Sequence, residues 1–348
     1  MMDIPIEPTY LTLFDYGYSQ TEEAVEVVFS HEKSFNPHSI KFDFDPTSSE
    51  NSICVTIPDQ PPIFCGDLYG PLSGIEEIYA NDETTKLILK KKTPNDWPVI
   101  IQSIHSIKKI IDPKSAFLIF ACLSQIPPEV QSPGKQNMML FLKLSAHMCF
   151  PPALRILGQL YIGENEQFNE GFSLIRLASE KYNDLEATSQ LGQIFSLSSD
   201  ENARKNGMIL LQQAAKSGDQ SAMIHIGQLL SPFSSFEWFE KDGLKALKIF
   251  QAALEVEPNP LIYHEMAKIY YYGCEGVKQD IAEAQIFQNK AKEQDPRIED
   301  LTSKIEKQKD QDSKSLGSKI AMGTLTIGVL GLFGYYIMKK LMNDNDDN

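Results

Sequence analysis

The sequence is poor in the patterns that mark chemistry. Its five cysteines, Cys54, Cys65, Cys122, Cys149 and Cys274, include no C-x-x-C pair, and none stands near a histidine in a zinc-type spacing. An odd, scattered set fits reduced thiols buried as small apolar residues in a cytosolic chain. The six histidines, His31, His38, His105, His147, His225 and His264, form no H-E-x-x-H, and neither G-x-x-x-x-G-K nor G-x-G-x-x-G occurs. No enzyme, cofactor or metal site is therefore expected, although a triad assembled only in space stays open. His225 and His264 are expected as packing or surface residues of helices.

Basic charge is also scarce. Lys and Arg number 32 against 47 Asp and Glu, a net charge of −15. A nucleic-acid partner, which needs basic surface to displace counterions from phosphate, is excluded on this ground. No N-x-S/T sequon occurs, and Met1-Met2-Asp3-Ile4-Pro5 lacks the basic and apolar regions of a signal peptide. The expectation is a chain whose bulk stays in the cytosol. At 348 residues it has room for two domains and an accessory segment.

One long uncharged run is present. Residues 320–338, IAMGTLTIGVLGLFGYYIM, would span roughly 28 Å as a helix, close to the hydrocarbon core of about 30 Å. Lys319 and Lys339-Lys340 bracket it, and Tyr335 and Tyr336 suit a membrane interface. Only 339–348 follow, so the run reads as a tail anchor inserted after synthesis. Its Gly and Thr content and basic flanks favour a mitochondrial-type outer membrane over the endoplasmic reticulum, while the final DNDDN runs against that choice. Ala321, Thr324, Gly328 and Gly331 make a stripe of small residues on one face. That stripe could dock against another membrane protein, or reflect weak hydrophobicity alone.

Before Ile101 the apolar period is two. Val25, Val27 and Phe29, then Ile40, Phe42 and Phe44, then Ile53, Val55 and Ile57, and later Leu87 and Leu89 alternate with other residues between turn-forming clusters. The pattern predicts an antiparallel β-sandwich of about 90 residues. The stretch Tyr16-Gly-Tyr18-Ser-Gln20-Thr21-Glu22-Glu23 resembles the Y-x-W-x-Q-T opening of CS domains of the NudC type. Pro62 to Tyr69 is similar to that family's I-x-G-x-L-Y strand pair, and Leu87 to Lys91 followed by Trp97-Pro98 to its closing L-x-K…W, with the Trp-Pro shared with p23. Tyr18 and Tyr79 replace family tryptophans and are expected to pack. Trp97 reads as a core plug or a surface contact. The resemblance implies a non-enzymatic module that binds Hsp90-type chaperones or unfolded clients.

After Ile104 the period becomes helical and a repeat emerges. Ala153 to Tyr161, Ala187 to Phe195, Ala222 to Leu230 and Tyr263 to Tyr270 align, placing Gly158, Gly192 and Gly227 at intervals of 34 and 35 residues. Second helices run from Gly171 to Ala178, Gly207 to Ala215, Gly243 to Ala253 and Ala282 to Ala291. This A-x₄-G-x₂-Y…G-x₆-A pattern resembles Sel1-like repeats, relatives of tetratricopeptide repeats. A degenerate first pair is expected at Ser115 to Leu123 and Asn137 to Ala146, and a polar capping helix at Arg297 to Gln308.

The residue after the glycine position is Gln159, Gln193, Gln228 and then Lys268. The four are the candidate peptide groove, a polar ladder for an extended backbone; the alternative is solvated positions filled by good helix formers. The expected fold is thus multidomain: a CS-type β-sandwich (1–103), an all-α Sel1/TPR-like solenoid (104–312), a linker (313–318), a single transmembrane helix (319–340) and an acidic tail (341–348). That layout resembles the divergent receptor subunits of the outer-membrane translocase (TOM) of hydrogenosomes and mitochondria. The resemblance implies a tail-anchored import receptor that takes preproteins from Hsp90/Hsp70-type chaperones to a β-barrel pore and its fellow translocase subunits. The alternatives are a fission-type scaffold or adaptor and an Hsp90 co-chaperone on the endoplasmic reticulum.

Overall fold

The alternation of Val25, Val27 and Phe29 becomes one face of a strand, and all three are fully buried. The structure is a computed structural model describing residues 16–31, 36, 39–44, 51–58, 61–81, 83–127, 135–163, 167–234, 238–298 and 300–301. The run 320–338, its small-residue stripe and most of the expected capping helix lie outside them. No helix among the described residues is long and apolar enough to cross a membrane.

Among the described residues, eight strands form two antiparallel four-stranded sheets. The first holds β1 (Tyr16–Gln20), β2 (Ala24–Ser30), β7 (Thr84–Lys91) and β6 (Leu72–Asn81) in that spatial order. The second holds β3 (Lys41–Phe44), β4 (Ser52–Thr56), β5 (Phe64–Leu68) and β8 (Ile101–Ser103). Val25, Val27, Phe29, Leu87 and Leu89 from the first sheet and Ile53, Val55, Phe64 and Leu68 from the second are buried. The Tyr16 ring meets Phe64 of the other sheet edge-on at 5.3 Å. This packing makes the region a β-sandwich.

One expectation about that core is corrected. Tyr18 does not pack: it is 40% exposed, and Tyr16 is the buried tyrosine at 1%. The covering residues explain it. Both tyrosines stand opposite buried residues of the hairpin, Phe29 and Val27, but Tyr16 is covered by Phe64, Ser115 and Lys114, while the middle residues of the edge strand β1 face solvent. Trp97 is 3% exposed, with its indole N–H donating to Asn95 Oδ1 at 3.0 Å and the Lys91 ammonium 5.2 Å from its ring centroid. A Cβ on Gly70 would meet that ring at 2.9 Å, so the backbone closes directly over the indole. Of the two readings of Trp97, the core plug is the observed one.

Helices follow: α1 (Pro113–Ser124), α2 (Met138–His147), α3 (Pro151–Gly163), α4 (Phe168–Glu180), α5 (Leu185–Ser196), α6 (Glu201–Lys216), α7 (Gln220–Leu230), α8 (Gly243–Val256), α9 (Pro260–Tyr272) and α10 (Ile281–Gln294). The chain divides into two compact units within α4, between Ala178 and Ser179. The first joins the sandwich to α1, α2, α3 and most of α4. The second holds the helix pairs α5/α6, α7/α8 and α9/α10.

Glycines set the crossings within pairs. A Cβ on Gly158 would lie 2.8 Å from Gly171 O, and one on Gly207 would lie 2.7 Å from Gly192 O. Backbone touches backbone there, which only a side-chain-free residue permits. Acidic residues set the helix starts. Asp112, Asp184, Asp200, Asp219, Asp242 and Asp280 each stand at an N-cap and accept a first-turn N–H. Each such cap stabilises by about 1 kcal/mol, so part of the acidic excess serves the fold as well as solubility.

In the first unit the sandwich and α1 are locked together. The Tyr16 hydroxyl lies 2.9 Å from Ser115 Oγ, and Lys114 Nζ donates to Tyr16 O at 2.5 Å. Asp112, fully buried, accepts the N–H of Ser115 in α1 and of Cys65 in β5, both at 2.8 Å. Burial pushes its carboxyl up to about 6, against the pull of the hydrogen bonds it accepts.

Candidate interaction surface of the helical repeats

The four candidate groove residues occupy equivalent places, each just after the crossing position of a first helix. Their surroundings differ. Gln159 in α3, in the first unit, is 8% exposed. In the second unit Gln193 in α5 is 9% exposed, and its Nε2 donates to Ser221 Oγ of α7 at 3.1 Å. Gln228 in α7 is half-buried. Lys268 in α9 is also half-buried and pairs with Glu265 Oε1 at 2.6 Å, one turn back on the same helix.

Gln193 therefore spans successive repeats instead of facing outward. One turn along, Ser196 Oγ donates to Gln193 O at 2.7 Å and lies 2.8 Å from His225 Nε2 of α7. The result is a buried polar seam between the first helices of neighbouring pairs, Gln193–Ser221 and Ser196–His225. Such a seam fixes the stacking of one pair on the next, the contact on which repeat arrays depend. Burial pushes His225 down to about 4, so its imidazole is neutral at physiological pH. Of the polar row, Gln228 and Lys268 retain the more accessible side chains.

Exposed apolar side chains in the second unit are a feature that periodicity did not single out. Trp238 is 62% exposed, with the Arg204 guanidinium 4.9 Å from its ring centroid. Phe233 and Tyr272, 38% and 41% exposed, lie 5.1 Å apart, and Tyr271 stands edge-on to Tyr272. The available signal was the run Tyr270-Tyr271-Tyr272: three consecutive aromatics cannot all share the buried face of one helix. His264, on the same helix, faces Gln288 of α10 at 3.2 Å. No group of three or more His, Cys, Asp or Glu that could hold a metal ion occurs among the described residues.

No protein-family description matches the sequence, and neither does any curated protein. Solved structures do. A Sel1 repeat protein from Oxalobacter formigenes is 20% identical, with 55% of this chain and 76% of that one covered at a TM-score of 0.44. A protective antigen of uropathogenic Escherichia coli displaying an SLR fold is 18% identical, covering 67% of this chain and 45% of that one, also at 0.44. A nuclear movement protein from E. cuniculi is 17% identical, covering 25% and 96% at 0.21.

Proposed function

We propose that this chain is a membrane-anchored import receptor: a protein-binding scaffold that takes preproteins, with their chaperones, to a TOM-like translocase in the outer membrane of a mitochondrion-related organelle. The observation that carries the reading is the exposed aromatic surface of the second unit, Phe233 with Tyr272 and Trp238 over Arg204. Aromatic rings left in water on a helical array are what a protein surface needs to hold apolar segments of many different clients. Gln228 and Lys268 add polar groups able to bind an extended backbone. The apolar sequence 320–338 would hold the chain at the membrane, where tethering raises the local concentration of captured clients.

Crosslinking followed by gentle purification of the full-length protein tests the assignment. Recovery with a β-barrel pore and import chaperones is the expected result; a dynamin-like partner, or residence in the endoplasmic reticulum, would sink it. Within the receptor, Phe233→Ala with Tyr272→Ala is expected to weaken preprotein capture about tenfold, the loss of roughly 1.4 kcal/mol. Gln228→Ala with Lys268→Ala separates the two surfaces, because unchanged capture by that variant removes the polar row from the proposal.

A further inference from the structure

Cys54 in β4 and Cys65 in β5 stand directly opposite each other. Along the same ladder Leu68 N–H donates to Asn51 O at 2.7 Å, which makes 51 and 68 a hydrogen-bonded pair. Hydrogen-bonded and non-hydrogen-bonded pairs alternate in an antiparallel ladder, so 54 and 65, three steps away, are a non-hydrogen-bonded pair. The backbone of Cys65 agrees. Its N–H donates to Asp112 Oδ2 at 2.8 Å and its carbonyl accepts from Asp112 N at 3.1 Å, both on the side away from β4.

Side chains approach most closely at such pairs. The Cα atoms lie about 4.5 Å apart, within the roughly 4.4–6.8 Å that a disulfide spans. The two sulfurs are 2.6 Å apart, inside ordinary van der Waals separation, and both residues are free cysteines. They are 1% and 0% exposed. The other cross-strand neighbour of Cys54 is Asp43, whose carboxylate pairs with Lys108 Nζ at 2.6 Å. That ion pair is at the surface, with side chains 65% and 35% exposed. Exposed pairs of this kind open at a cost of no more than about 1 kcal/mol.

The two thiols are electrostatically unlike. The contact from Cys65 holds Cys54 below the usual thiol range, and Lys108 adds to the effect against burial. That same contact, followed by burial, pushes Cys65 up. Cys54 is thus the more readily ionised of the two sulfurs.

We propose that Cys54 and Cys65 are a reversible thiol–disulfide switch, oxidised by hydroperoxides, that cross-links β4 to β5 beside the Asp43–Lys108 ion pair. The Cys54 thiolate attacks a peroxide oxygen, the O–O bond breaks, and Cys54 becomes a sulfenic acid while the departing oxygen takes a proton. Cys65 sulfur then attacks Cys54 sulfur; the S–S bond forms and the S–O bond breaks, and the Cys65 proton leaves with the hydroxide as water. With hydrogen peroxide the balance is two thiols and one peroxide to one disulfide and two waters, two electrons passing from sulfur to oxygen. A dithiol reverses the reaction by exchange. Because Asp112 grips Cys65 from the start of α1, the cross-link fixes the strand to which the first helix is attached.

The test treats the folded full-length protein with a few equivalents of hydrogen peroxide, then counts thiols and maps peptides. Two of the five thiols should disappear, a single peptide linking Cys54 to Cys65 should appear, and dithiothreitol should restore both. The Cys65→Ser variant should stop at the sulfenic acid, with dimedone labelling Cys54. Retention of all five thiols, or linkage through Cys122, Cys149 or Cys274 in place of Cys54 and Cys65, would overturn the proposal. So would a Cys54–Cys65 link that forms only after denaturation, or a Cys65→Ser variant that dimedone leaves unlabelled at Cys54.

Discussion

The same device, an aspartate at a helix N-cap, behaves differently in the two units. In the second unit Asp200, Asp219, Asp242 and Asp280 each serve the first turn of their own helix. In the first unit Asp112 caps α1 and also accepts the Cys65 N–H from a strand 47 residues earlier, in full burial. One unit is assembled from local contacts repeated along the chain. The other depends on a few long-range contacts, Asp112–Cys65 and Tyr16–Ser115, that join a sheet to a helix. Loss of a local cap should therefore be mild and loss of the junction severe. Asp112→Ala strands two backbone N–H groups in a dry interior, at about 1–3 kcal/mol each, so a loss of roughly 2–6 kcal/mol is expected. Asp242→Ala should cost about 1 kcal/mol. Denaturant unfolding of both variants measures the gap, and equal losses would remove the distinction between the units.

Acid should separate the units in a second way. His225 is held neutral, with its folded value near 4 against 6.5 unfolded. Between those values the unfolded chain binds the extra proton, so the second unit loses stability as pH falls through 6.5 toward 4, by on the order of 3 kcal/mol in total. Asp112 has the opposite sign. Its folded value near 6 exceeds the unfolded 3.8, so the folded chain binds the extra proton and stability from this group rises as pH falls through the same region. Hydrogen exchange followed from pH 7 to pH 4 should show protection falling in α5 and α7 while β5 and the start of α1 hold. His225→Gln should flatten the acid loss in α5 and α7. If both units weakened together, neither group would be governing its own unit.

What could be read from sequence follows the same division. The period-two runs of β2 and β7 and the glycine spacing of the repeats are local patterns, and both became elements where expected. The buried role of Tyr16 in place of Tyr18 was not legible, because both alternate correctly and what covers Tyr16, Phe64 of the other sheet and Ser115 of α1, is set by tertiary structure. Asp112 was invisible for a related reason: its strand partner is fixed by tertiary structure, not spacing. The polar row at 159, 193, 228 and 268 was found by its period, but period cannot tell a side chain facing a neighbouring repeat from one facing solvent. Gln193 illustrates the difference through its bond to Ser221. The cysteines likewise had no motif spacing. Cys54 and Cys65 meet because β4 and β5 pair in one register, and a shift of one residue would turn them to opposite faces.

A small predicted effect tests how far the contrast between the units extends. The crossing glycines occur in both: Gly171 of α4 would place a Cβ 2.5 Å from Gly158 O, and Gly207 of α6 would place one 2.6 Å from Ser196 N. In each case the obstacle is backbone, which no rotamer change can clear. Alanine at either site favours the helix by about 1 kcal/mol over glycine, while forcing two packed helices apart costs about 1–3 kcal/mol. Gly171→Ala and Gly207→Ala should each be destabilising by a net of up to roughly 2 kcal/mol, by the same amount within error, in thermal or denaturant unfolding. The equality is the informative part. Matching losses would mean that the crossing belongs to the helix pair as a unit of construction, wherever the pair sits. A much larger loss at Gly171 would mean that the first unit's junction, with its few long-range contacts, amplifies any displacement of the helices built upon it.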